Sequence, residues 1–218
     1  MDNTSPRPKS RPKNRAKSPA TIRARNRTAK WLTEVLQPPA VVTVQLLISP
    51  AIEAGFPGTA VYGALAALFV CVLPLFLLLG LVRLGKVTDH HVSNRKQRAP
   101  VLLMALASVL AGLLVLESVG APGSVVAMVL AIVAGILVLA AVSPFWKISG
   151  HAAAVSSASV ISVLMLGPVW LPLLVLIPAV GWSRVVLRAH TAAQVVAGSL
   201  FGAVVMAGLW WLLRGWLV

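Results

Sequence analysis

Apolar and polar positions divide this chain into two unlike parts. Up to Lys30, polar and basic side chains dominate; beyond it, long apolar runs alternate with short polar breaks. Trp31, Leu32, Val35 and Leu36 share one helical face opposite Lys30 and Glu34, which predicts a short amphipathic helix with an interfacial Trp. Pro38-Pro39 ends or bends it. Ala40 to Ala54 is apolar but contains Gln45, Pro50 and Glu53. It lies near the lower limit of the ~17–25 residues that cross a bilayer. It reads as a kinked crossing, with a re-entrant segment as the alternative. Ala60 to Val82 is uncharged and long enough to span with some tilt. Ala99 to Leu116 and Ser124 to Val142 form a helical hairpin around a turn from Glu117 to Gly123. Ala152 to Leu166 ends at Gly167-Pro168, and Trp170 to Trp182 returns with Pro172 and Pro178 bending it. Thr191 to Leu213 completes the set, with Trp210, Trp211 and Trp216 as an aromatic belt. The expectation is an all-α polytopic membrane bundle of about six or seven crossings.

Composition agrees with that pattern. The chain is 58% hydrophobic and 11% charged, with mean hydropathy +0.90, beyond what a water-soluble core of this length needs. Residues 1–30 carry ten basic side chains and one acid and are expected to lack fixed structure, leaving 31–218 as the membrane domain. No apolar signal-peptide core follows those charges at the usual distance. A pI of 11.7 invites nucleic acid as a partner, but the tail lacks interleaved aromatics and precedes a membrane domain. An anionic membrane surface is the expected partner instead, and no nucleic acid. Cys71 is the single cysteine, so a disulfide within the chain is excluded. Five carboxylates against nineteen Lys and Arg argue against a multi-carboxylate metal site. The adjacent pair His90-His91 has too few other ligands nearby, so no metal and no other cofactor is expected.

Polar residues that interrupt the apolar pattern are the candidates for chemistry, because charge at a membrane boundary is costly. Two sets stand out: Ser149-Gly150-His151 preceded by Lys147, and Ser183-Arg184 followed by Arg188, His190 and Gln194. Ser149 occupies an N-cap position, so its hydroxyl and the following N–H groups can face phosphate oxygens, or simply cap the helix. Gly150 permits close approach. Lys147 and His151, four apart, would share a face if the helix began early. Arg184 offers fork geometry to a phosphate, whereas Arg188 either binds phosphate or reaches for headgroups.

SGH followed by SRx5H resembles the second and third signatures of the type 2 phosphatidic acid phosphatase (PAP2) superfamily. The resemblance covers motif positions in roughly the carboxy-terminal two thirds. It implies that His190 is the nucleophile forming a phosphohistidine and that His151 protonates the leaving alkoxide. Two departures accompany it. The family's third signature ends in Asp where this chain has Gln194, which can orient the His190 ring but adds no full charge. The first signature is absent in its usual form: Arg98-Ala99-Pro100 carries an intervening Ala. The loop offers Arg95 and Arg98, three apart, as a phosphate clamp, with Asp89 as the loop's carboxylate; the alternative is a basic loop that only fixes orientation.

These readings converge on a metal-independent phosphatase for a lipid phosphomonoester or diphosphate of polyprenyl or phosphatidate type. The alternative is a weak or inactive relative that binds or translocates phospholipid headgroups. The basic loop and both motifs are separated by two crossings each, so they fall on one membrane face. Eighteen of the nineteen Lys and Arg, all but Arg214, lie on that side. The positive-inside rule then puts the amino terminus and site at the cytoplasmic face of the inner membrane.

Overall fold

The computed structural model describes residues 19–88, 95–142 and 145–218. Among them the chain is helical, with eight helices and no strand. Helix α1 (Pro19–Val35) meets α2 (Pro38–Ile48, extended by a 3₁₀ turn Ser49–Ile52) at a 43° bend across Pro38-Pro39. α3 (Ala60–Arg83) is followed by α4 (Arg95–Ser118) and α5 (Gly123–Val142). α6 (Gly150–Leu166), α7 (Pro168–Val186) and α8 (Ala192–Leu217) complete the bundle.

Every expected apolar segment is a helix. Among the described residues α3, α5, α7 and α8 are long and apolar enough to cross a membrane, and the number is five if the bent α1–α2 pair is one span. Within α4, Leu103–Ser118 is a further, shorter apolar helix among the described residues. α6 is short because Ser149 caps one end and Gly167, at φ 93°, ends the other. α1 corrects an expectation: the helix begins at Pro19, inside the stretch expected to lack structure. Packing explains this, since Ala29 is fully buried and α1 lies along α7, where the Thr33 and Ser183 hydroxyls meet at 3.0 Å.

α6 lies at the centre, touching α2, α7 and α8. Its contact with α8 is made by small residues. A Cβ at Gly198 would collide with the Ser149 carbonyl oxygen, and one at Gly202 with the Ala153 carbonyl oxygen, so only glycines let these backbones approach. Serines link helices through backbone carbonyls. Ser156 donates to Ser199 O at 2.7 Å beside a π turn in α8 (Phe201–Met206). Ser108 likewise donates to Phe69 O at 2.7 Å within a π turn in α3 (Leu68–Val72). In a bilayer such carbonyls have no water to turn to, so neighbouring hydroxyls satisfy them.

Candidate active site

The close α6–α8 contact brings two helix N-termini together. Ser149 caps α6, its Oγ accepting from Ala152 N at 3.3 Å, and Thr191 caps α8, its Oγ1 accepting from Gln194 N at 3.3 Å. Ser149 N donates to Gln194 O at 3.2 Å, tying one N-terminus to the other. The remaining first-turn N–H groups of both helices have no intrahelical acceptor and carry the positive ends of two helix dipoles. That arrangement suits an anion.

The residues before these caps interlock. Lys147 Nζ donates to Ala189 O at 3.3 Å, and His190 Nδ1 lies 3.3 Å from Lys147 O. A carbonyl only accepts, so this contact puts the proton on Nδ1 and leaves the Nε2 lone pair free. Burial and then the nearby Arg184 guanidinium hold the His190 pKa below the ordinary histidine value, opposed by the Lys147 carbonyl. His190 is therefore neutral near pH 7, the form in which Nε2 is nucleophilic.

Arg184 sits in the last turn of α7. Its Nε is buried without a partner, and its charge acts on both His151 and His190. The turn beyond it is fixed by a Schellman pattern: Arg188 N donates to Val185 O and Ala189 N to Arg184 O, both at 3.0 Å. Arg188 holds the left-handed position of that pattern at φ 53°, where glycine is usual, and its side chain is exposed.

The sequence-predicted residues are brought together to different degrees. His151, Arg184 and His190 form one electrostatically coupled group. Gly150 lies at the N-terminus of α6 with open space where a Cβ would stand. Ser149 is fully buried and its hydroxyl serves the cap, so it meets the simpler of its two readings. Lys147 and His151 do not share a helical face, because α6 begins only at Gly150 and Lys147 precedes it outside any helix. Gln194 has a different first duty from the one expected. Its Oε1 accepts from Thr191 N at 3.1 Å in a capping box, while the His190 Nδ1 is held by the Lys147 carbonyl. Gln194 still touches His190 weakly, favouring its protonated form. Arg95 and Arg98 belong to the first turn of α4, but their side chains, and Asp89 altogether, lie outside the described residues.

Thr191 and Thr33 escaped the sequence reading. The Thr191-x-x-Gln194 spacing is a legible capping-box signature. Thr33 had no local signal, since its partner Ser183 is distant in sequence.

No curated protein and no solved structure matches the chain. A family model does match, and it covers the segment that holds every site residue from Lys147 to Gln194. Residues 141–216 match the model of the PAP2 superfamily, a family of phosphatase type.

Proposed function

We propose that the protein is a metal-independent phosphatase for a lipid phosphomonoester or diphosphate. The observation that carries this reading is the meeting of neutral His190, His151 and the unpartnered Arg184 Nε at two helix N-termini. The phosphate group sits against Arg184 and the first-turn N–H groups of α6 and α8. His190 Nε2 attacks phosphorus, a P–N bond forms, and the bond to the leaving oxygen breaks. His151, protonated while the phosphate charge lies beside it, gives its proton to that oxygen. It then takes a proton from the water that attacks phosphorus and releases His190. Apolar helices on every side favour a lipid ester, of polyprenyl or phosphatidate type, over a soluble sugar phosphate.

The charge pattern supports a cytoplasmic site. Counted by alternating crossings along the sequence, the amino-terminal basic residues and those of the site belong to one membrane side, with Glu53 and Glu117 on the other. α1, with Arg23, Arg25 and Arg27 exposed, is suited to an anionic membrane surface. Single cysteines at Lys86 and Gly120 in a Cys71→Ala background check the orientation. An impermeant thiol reagent on intact cells labels only the Gly120 position if this holds.

The reading of a weak or inactive headgroup-binding relative rests on one observation. Among the described residues no carboxylate acts on His190, whose Nδ1 meets a neutral carbonyl. Phosphate release from a panel of lipid phosphates, with and without chelator, separates the two. The phosphatase reading expects release that chelator does not reduce. It also expects a loss of about 10²-fold or more in His151→Ala, smaller for an ester with an acidic leaving group. Binding without release from any member of the panel favours the second reading.

A further inference from the structure

An apolar cavity of about 380 Å³ lies between α2, α3, α4, α5 and α6. The phosphate chemistry makes no use of it. Its lining runs from Gly150 to Ile161 on α6 and from Met128 to Leu139 on α5. At the rise of an α-helix, either stretch gives a depth of about 16 Å. That is about half of the ~30 Å hydrocarbon core of a bilayer, the length of one lipid chain. One end lies at Gly150, within the candidate active site, where nothing stands within 4 Å of a Cβ position.

Gln45 lines the deep end. It is 5% exposed; its Oε1 accepts from Ser162 Oγ at 3.2 Å, and its Nε2 is buried with no partner. A second apolar cavity, of about 590 Å³, lies on the far side of the α2–α6 seam. Gln45, Val41 and Ala158 line both cavities, so the Gln45 side chain stands between them. Only the first cavity has Gly150 in its wall, which gives one chain per headgroup access to the interior.

We propose that this cavity takes the hydrocarbon chain of a single-chain lipid phosphate and that Gln45 sets the chain-length limit. The proposal rests on the phosphatase reading of the adjoining site and names its substrate class. Each methylene that enters leaves water for an apolar wall, which favours binding until the chain reaches Gln45. There the gain stops, because a chain methyl cannot accept from Nε2 and keeps that donor unpaired. The phosphate lies at the mouth, against Arg184 and the helix N-termini, while the chain fills the shaft below Gly150.

The test is a series of octyl, dodecyl, hexadecyl and icosyl phosphates turned over by the purified full chain. kcat/KM should rise from octyl to dodecyl, by at most about fourfold per methylene, and level off beyond. Gln45→Ala, which joins the two cavities, extends the rise to the longer chains. Ala154→Phe, which obstructs the shaft about 6 Å below Gly150, flattens the series. Binding of the corresponding alkyl phosphonates, followed by calorimetry, gives a reading that needs no turnover. Phosphonate affinities with this length profile, but no ester hydrolysed, would support the chain site and overturn the phosphatase reading alone. Hydrolysis whose kcat/KM ignores chain length, and is unmoved by Gln45→Ala, would overturn the chain site alone.

Discussion

Helix N-termini occur on both faces of this bundle, and the two faces treat them differently. On the face away from the site, α5 begins at Gly123, and the Glu53 carboxylate accepts from Ser124 N at 3.2 Å. A carboxylate there answers both the free N–H and the dipole, so the end is complete within the protein. On the site face, α6 and α8 are capped by the neutral hydroxyls of Ser149 and Thr191. Arg184 adds positive charge, and no carboxylate acts on His151 or His190 among the described residues. The comparison separates a helix end that supports the fold from a pair that leaves an anion's place open.

The largest effect should come from separating the paired N-termini. Gly202→Leu drives a side chain into the Ala153 carbonyl and parts α8 from α6. Phosphate release should fall to background. Gly208→Leu on the same helix should leave it in place, since nothing stands within 4 Å of its Cβ position. Equal activity in the two variants would show that the close approach is dispensable.

A smaller effect concerns charge at the open pair. His190 must be unprotonated to attack, so activity is lost as pH falls through its pKa. Burial and Arg184 lower that pKa, which places the acid limb of kcat/KM below the ordinary histidine value of about 6.5. In Arg184→Gln the residual activity should show its acid limb at higher pH, because the cation that disfavoured imidazolium is gone. An unmoved limb would detach Arg184 from His190.

The smallest effects distinguish the two kinds of helix end. Glu53→Gln should cost about 0.3–1 kcal/mol of stability in a denaturation midpoint and leave kcat/KM as it was. Gln194→Ala removes half of a capping box and a contact to His190, so it should reduce stability and kcat/KM together. Gln194→Asp retains an acceptor and adds charge beside the imidazole, so activity should be maintained or raised. A loss of activity in Glu53→Gln equal to that in Gln194→Ala would erase the distinction between the faces.

Much of this was legible in the sequence because it depends on local pattern. Apolar runs of bilayer length located the helices, and the motif spacings located His151, Arg184 and His190 at their ends. What depends on tertiary contact was not legible. The start of α1 at Pro19 rests on packing against α7, where Ala29 is buried and Thr33 meets Ser183. The proton on His190 Nδ1 is set by a backbone carbonyl at Lys147, which no side-chain pattern reveals. Gln194 was readable twice, as a replacement for a carboxylate and as the end of a Thr-x-x-Gln box, and the second reading was missed. Gly198 and Gly202 carried a small-residue spacing whose partner was visible only once α6 lay against α8.

The central claim is that His190 Nε2 forms the covalent bond to phosphorus. The direct measurement is rapid quenching of the full chain with a radiolabelled alkyl phosphate, with the label on phosphorus. The account predicts protein-bound label that is stable in base, labile in acid and located at His190. It should appear before free phosphate and be absent in His190→Ala, which also loses turnover. Phosphate release at a near-normal rate from His190→Ala, or bound label located elsewhere in the chain, would contradict it.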